Sequence, residues 1–434
     1  MEVRTGYKQT EVGVIPEEWE VKPLGQLSEF VTSGSRGWAK HYSDTGPLFV
    51  RSQNIRDGCL DFTDRQCVTP PAGSEGGRTR LNRNDLLITI TGNSVGNVAW
   101  VEPDIGEAYV SQHVGLVRLA EPLLAEYVCL FLAPGSPGNN QILTSQTGQS
   151  KPGLNLKNLR DFSVALPAPP ERCAITTTLR DVDALLNALN QFITKKRDLR
   201  QATMQQLLTG QARLPGFHGE WSVKKLGDLF NFSGGFSASR DQLSTEGHCY
   251  LHYGDIHGAS KTFVDTRADY QDIPKLDIPL GKIPQSSMLD DGDVVFVDAS
   301  EDDEGTSKHV VVVNKDSAPF ISGLHTIIAK SKTDELAHEY RRYCFQTRAI
   351  REQFLFYAVG TKVSGISKTN IPKLTIPVPS IPEQTAIAAV LADMDAELAT
   401  LEERLAKTRD IKQAIMQELL TGKTRLVSSE ASHA

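Results

Sequence analysis

The strongest constraint on this 434-residue sequence is that it repeats itself. A repeat limits architecture before local propensity does, because both copies must be able to adopt one plan. Trp19-x-Val21-Lys22-x-Leu24-Gly25-x-Leu27 returns 202 residues later as Trp221-x-Val223-Lys224-x-Leu226-Gly227-x-Leu229. Residues 48–58 (LFVRSQNIRDG) then parallel 249–259 (CYLHYGDIHGA), and 81–92 parallel 289–300. Residues 109–119 parallel 320–330, and 147–175 parallel 359–387. The offset ends at 212, so the second copy carries about ten extra residues.

Each copy has the same internal order. Short β-like runs come first: LLITI, VGLVRL and FSVAL, then DVVFV, HVVVV and LTIPV. Gly, Asn, Asp and Ser punctuate them, as strands and turns require. A Pro-rich step, LPAPPE or VPSIPEQ, then allows a helix to begin. The helix that follows is strongly periodic. Ile175, Leu179, Val182, Leu186, Leu189, Ile193, Lys196, Arg200, Thr203 and Leu207 recur at alternating steps of four and three. Ile387, Leu391, Met394, Leu398, Leu401, Leu405, Thr408, Lys412, Ile415 and Leu419 repeat the pattern. This is an a/d stripe of about five heptads in each copy.

A stripe this long, roughly 50 Å at ~1.5 Å per residue, exceeds what one small domain needs. It predicts that the two helices pack on each other through Leu179, Val182, Leu186, Leu189 and Ile193 against Leu391, Met394, Leu398, Leu401 and Leu405. Each helix is acidic early (Asp181, Asp183; Asp393, Asp395, Glu397) and basic late (Lys195, Lys196, Arg197; Lys407, Arg409, Lys412). An antiparallel pairing sets unlike charges side by side, although the pattern also complements each helix dipole. Gly210 and Gly422 are placed to stop the helices.

Composition bounds the remaining classes. The N-terminus is polar, and no apolar run approaches the ~18 residues of a membrane span, so a cytoplasmic protein is expected. Six cysteines are scattered without a C-x-x-C pair and read as reduced thiols; no metal site is expected. The net charge of −7 does not advertise a nucleic-acid binder. It averages over all faces, however, and phosphate contacts need only a local basic surface.

The segments IPEEWEVKPLGQL, PEQTAIA with LADMDAEL, and KTRDIKQAIMQELLTGKTRL resemble the specificity (S) subunit of type I restriction–modification systems. The resemblance spans both copies; PPERCAI in the first departs mildly from IPEQTAI in the second. It implies an α+β chain with two tandem β-containing target recognition domains separated by two long antiparallel coiled-coil helices, a pseudo-twofold internal repeat. The implied domains are recognition domain one (1–165), spacer helix one (166–210), recognition domain two (211–377), and spacer helix two with its tail (378–434). It further implies a non-catalytic subunit that binds double-stranded DNA and holds two methyltransferase subunits and restriction subunits. S-adenosylmethionine, ATP and Mg would serve those partners, with no cofactor bound by this chain.

Base edges are read by polar side chains on loops. The first copy offers Arg36 and Lys40, then Arg51, Gln53 and Asn54, then Asn93 and Ser94, Gln112 and His113, and Lys151. The second offers Ser239 and Arg240, His252 and Tyr253, Ser307 and Lys308, and Lys362 and Ser364. Any one of these can be a solvated turn residue. As groups they fall at matching repeat positions with unlike identities, which two different half-sites need. The acidic run 298–308 lacks the spacing of a calcium loop and reads as a solvated loop.

An enzyme of its own is not indicated. The sequence has no Walker-type G-x-x-x-x-G-K-[ST] and no Gly-rich nucleotide loop after a strand. It also lacks an Asn/Asp-Pro-Pro-aromatic segment for adenine methylation. A scaffold that ignores DNA has no use for duplicated globules with unlike loops. A helix pair of fixed length between two readers predicts a target of two short segments about a dozen base pairs apart. Lengthening the 171–207 helix by one heptad is expected to lengthen the unread spacer, as seen by sequencing methylated sites.

Overall fold

The computed structural model describes residues 4–34, 36–56, 58–71, 74–102, 105–146, 153–259, 261–300, 307–358 and 364–426. The chain forms two compact units, one of residues 1–190 with 403–434 and the other of residues 191–402. Each unit takes one globule and part of both long helices, so the units do not follow the linear order of the chain.

In the first unit a four-stranded antiparallel sheet runs in the order Val98–Trp100, Leu86–Thr89, Val114–Leu119, Ser28–Ser33. A second sheet has the order Ala108–Val110, Tyr42–Val50, Cys67–Val68, its first pair parallel. The second unit repeats both. Its larger sheet runs Phe263–Asp265, His309–Val313, Val294–Val297, Thr326–Ser331, Phe230–Gly234, and its smaller one Phe320–Ser322, His248–Leu251, Lys275–Leu276, Leu243–Ser244. The added strand Phe263–Asp265 pairs in parallel with His309–Val313 and accounts for part of the longer second copy. A two-stranded pair beside each long helix is also duplicated: Glu20–Pro23 with Ser163–Leu166, and Ser222–Lys225 with Thr375–Val378.

Leu86–Ile88 and Val294–Val297 in the central strands are apolar at successive positions because both faces are covered. Leu86 and Ile88 join a core with Trp19, Tyr127 and Phe131, whereas Leu87 joins the core between the two sheets. In the second unit Val294 and Phe296 take one side and Val295 and Val297 the other. A strand between two layers needs no polar alternation, which is why LLI in the first copy and VVFV in the second do not alternate.

The long helices span Pro169–Leu208 and Ile381–Leu420, each of 40 residues and so about 60 Å long. Gly210 and Gly422 follow with φ of 72° and 67°, conformations that favour glycine, and end them. All twenty positions of the two stripes are buried or half-buried. The outer ends differ from the expectation of pure helix-to-helix packing. Ile175 and Leu179 sit in the first unit's core with Met416, Leu419, Leu420 and the globule's Val128, and Leu391 sits in the second unit's core with Met204, Leu207 and Tyr340. Leu179 and Leu391 are therefore domain-core residues as much as helix-seam residues, because each helix begins under its own globule.

Within each unit the helices exchange ions. Asp183 meets Lys412 at 2.6 Å in the first. In the second, Lys196 meets Glu397 at 2.7 Å, Arg197 meets Glu402 at 2.5 Å, and Arg200 meets Asp395. The acidic start of one helix thus lies beside the basic end of the other.

A buried carboxylate anchors each helix start. Glu171 is 1% exposed and accepts from Trp19 Nε1 at 3.1 Å and from Arg425 Nη2 at 2.7 Å. Glu383 is 2% exposed and accepts from Trp221 Nε1 at 3.0 Å and from Arg213 Nη2 at 2.8 Å. Each guanidinium also lies over its tryptophan ring, 5.9 Å and 5.3 Å from the centroids. Among the described residues no helix is long and apolar enough to cross a membrane.

Glu383→Ala leaves Arg213 and Trp221 without their acceptor and is expected to destabilise the protein by about 3–5 kcal/mol, measured by urea unfolding. His309 is a second test of the core. Its ring lies 5.5 Å from Phe296 and 5.1 Å from Phe345, and burial pushes its pKa down to about 4. The unfolded chain takes up this proton near pH 6.5, so the stability held by neutral His309 is complete above that and is lost as pH falls towards 4. His309→Leu is expected to remove about 3 kcal/mol of this acid dependence, read from thermal unfolding between pH 7 and 4.

Candidate nucleic-acid interface

The polar loops of the first unit converge because of a parallel strand pair, Tyr42–Val50 with Ala108–Val110. Val50 lies beside Val110, so both strands end at the same edge and the loops 51–54 and 111–113 leave together, tied by Ser111 N to Val50 O at 2.9 Å. Ile90 N donates to His113 O at 2.9 Å and brings in the loop of Asn93 and Ser94. Gly34 crosses so close that a Cβ there would stand 2.1 Å from Val110 O, which admits only glycine at the start of the loop carrying Arg36 and Lys40. Arg36, Lys40, Gln53, Asn93 and His113 are exposed, while Ser94 and Gln112 are half-buried.

Asp64 organises this end. Arg51 Nη2 lies 3.0 Å from Asp64 Oδ1 and donates to Asp64 O at 3.0 Å, and Gln53 donates to the same carboxylate. The Arg51 and Gln53 bonds hold the Asp64 carboxyl below the usual carboxylate range. Asn54 is placed differently from its neighbours. It is buried, its Oδ1 accepts from Arg51 N at 3.0 Å, and its Nδ2 donates to Asp61 O and Asp64 O. Its amide is fully used inside the loop, so it shapes the loop that presents Arg51 and Gln53.

The second unit gathers its loops in the same way. Leu251 lies beside Ser322, Gly323 N donates to Leu251 O at 2.9 Å, and Asp298 N donates to His325 O at 3.1 Å. Tyr250 OH donates to Phe236 O at 2.8 Å and accepts from Leu324 N at 3.1 Å, joining two loops. Tyr253 is ringed by histidines: His252 at 4.5 Å, His325 at 5.5 Å and His257 at 6.2 Å between centroids. His252 is buried and its Nδ1 accepts from Gly254 N at 3.0 Å. Burial lowers its pKa, helped by Arg240 and His325 and opposed by Asp255. Arg240 is exposed and its Nη2 would stand 2.7 Å from a Cβ on Gly254. Ser239 is exposed and donates to Gln242 Oε1 at 3.1 Å. Lys308 Nζ donates to His257 O at 2.8 Å, with half-buried Ser307 beside it.

Lys151 and Lys362 lie outside the described residues. Ser364 is described by its backbone, which pairs with Ser300 in a short antiparallel bridge at the same edge. Asp298, at the start of the acidic run, belongs to this end, and residues 301–306 of the run lie outside the described residues. Among the described residues no group of His, Cys, Asp and Glu could hold a metal ion.

One sequence parallel needs correction. Ala108 lies beside Leu48, and Phe320 lies beside Cys249, so 109–119 match 321–331 rather than 320–330. The shift of one residue sets His113 against His325, which the sequence comparison had set against Val114. The signal was the shared histidine before a β-branched residue, His113-Val114 and His325-Thr326. The Asp64 contacts and His257 had no signal in the sequence, because they depend on how the loops fold back.

Comparisons with known proteins agree on one family. The type I restriction modification DNA specificity domain matches residues 16–197 and again 218–408. A putative type I restriction enzyme MjaX specificity subunit of Methanocaldococcus jannaschii is 23% identical, covering 97% of each chain. In fold, the chain is similar to one solved in a study of complex assembly and conformational transition of the type I R-M system, with a TM-score of 0.56, 19% identity, and coverage of 94% of this chain and 99% of that one. The S subunit of M. genitalium gives a TM-score of 0.51 at 13% identity, covering 96% of this chain and 98% of that one.

Proposed function

The chain belongs to the type I restriction–modification DNA specificity family, as a non-catalytic specificity subunit, and from that premise we propose how its parts divide the work. Each unit reads one short half-site in double-stranded DNA. The half-sites differ, so the target is bipartite and asymmetric. The long helices act as an antiparallel coiled coil that sets the unread spacer. The chain scaffolds two methyltransferase subunits and the restriction subunits in the cytoplasm. S-adenosylmethionine, ATP and Mg are used by those partners, and none is bound here.

One observation carries this reading. Two units that share one core strand order, to which the second adds an edge strand in each sheet, collect their polar loops where the matching parallel pairs end, Val50 beside Val110 and Leu251 beside Ser322, and the loops carry unlike side chains: Arg51 and Gln53 in one, His252 and Gly254 in the other. A common frame holds register on the duplex, and unlike loops give unlike sequence. The chain's net negative charge is compatible with this, because Arg36 and Lys40 stand exposed in one of the converging segments of the first unit.

The test is methylome sequencing of a host that expresses the chain with its methyltransferase partner. Two short conserved segments around an unspecified spacer are expected; a continuous motif, or none, refutes the reading. In the same assay Arg51→Ala is expected to relax one half-site. A uniform loss across sites, with a shallower salt dependence of binding, instead identifies Arg51 as a phosphate contact.

A further inference from the structure

Across the loops 51–54 and 111–113 and their counterparts in the second unit, one polar side chain recurs. Arg51, Ser52 and Gln53 face His252, Tyr253 and Gly254, and Gln112 faces Leu324, but His113 faces His325. Each of these histidines immediately precedes the strand next to the central one, and each carbonyl accepts from the residue that follows the central strand, Ile90 or Asp298. Side chains that read different base pairs must differ. One that stays the same meets a chemical group that both targets present.

The rings show which group. His325 Nδ1 lies 3.3 Å from Asp298 Oδ1. Asp298 Oδ1 makes no hydrogen bond among the described residues, and in a neutral ring a proton on Nδ1 would face that acceptor and leave the lone pair on Nε2. In the first unit Gln112 Nε2 lies 3.0 Å from His113 Nε2. An amide NH2 only donates, so His113 Nε2 accepts, and His113 Nδ1 donates to Thr91 Oγ1 at 2.5 Å. The hydrogen bonds of His113 thus leave its Nε2 as an acceptor, and the neutral His325 ring with its proton towards Asp298 presents the same acceptor at Nε2. The His325 side chain is 51% exposed and His113 is exposed. A phosphate offers only acceptors to such a nitrogen. The amino groups of adenine (N6) and cytosine (N4) are donors on the major-groove edge, one in every base pair.

We propose that His113 and His325 are a matched pair of base readers, each accepting from an adenine or cytosine amino group in its own half-site. In the first unit the base amine replaces Gln112 at His113 Nε2. The proposal rests on the reading of each unit as a half-site reader.

The test compares the methylomes produced by the full chain, His113→Ala and His325→Ala, each with the methyltransferase partner, and the thermal unfolding of each purified protein. Each variant is expected to keep the spacer and to accept more than one base at one position, in one half-site for His113→Ala and in the other for His325→Ala. Relaxed sites should be methylated within roughly tenfold of the original ones. Unchanged motifs in both variants overturn the proposal, and uniform weakening with intact motifs marks phosphate contact or loop positioning instead. If an alanine variant unfolds early, His113→Gln and His325→Gln, which keep an acceptor, must retain the motif; a relaxed motif there with normal unfolding also overturns it. Absence of a bipartite motif with the unaltered chain would instead refute half-site reading itself.

Discussion

Each unit depends on one buried carboxylate at the third residue of a long helix. Glu171 and Glu383 carry charge where almost no water reaches, and an unpaired charge there is very costly. Each must therefore find donors, and it finds them on segments far away in sequence: the tryptophan that opens the globule and an arginine that follows the end of a long helix. Three pieces of chain are held at one point. The acidic group also sits in the first helical turn, where the helix dipole favours it. The repeated LLTG tails and Trp openings are the visible parts of this clasp. The arginines lie close behind the tails, at 213 and 425; Arg425 closes the first unit and Arg213 the second.

Above the clasp, each globule is a layered stack in which a central strand faces apolar neighbours on both sides. The layering leaves little freedom to the frame and much to its edge. Where the parallel pair stops, four loops emerge together, and glycines at 34 and 235 let backbones pass where a Cβ would collide. A change in the frame would disturb a packed core, whereas a change in an exposed turn costs little.

Much of the frame was legible in the sequence. The helix stripes were read position by position, since a seven-residue pattern survives whatever the helix packs against. The six β-like runs are strands for the same kind of reason. The loop edge was legible only as a set of loops. Asn54 has the residue type of a base reader, yet its amide is consumed by its own loop. Gln53 and Arg51 are drawn to Asp64, eleven and thirteen residues away, across a turn that has no repeat counterpart to reveal it. Leu179 and Leu391 fit the helix seam by period, but period cannot tell a seam from the floor of a globule.

The sequence by itself determined the duplication, the two long helices and their stops, and the membership of loops in matched sets. These are properties of spacing and residue type, and each is set within a short stretch of chain. Only the tertiary structure decided the register between copies, by pairing Ala108 with Leu48 and Phe320 with Cys249 and so setting His113 opposite His325 in the repeat. Loops of unequal length had hidden that register, and strand pairing restores it because hydrogen bonds between strands fix which residues lie side by side. It also decided that each unit is closed by segments from distant parts of the chain. Burial of a charge is a property of the whole fold, and no local pattern announces it.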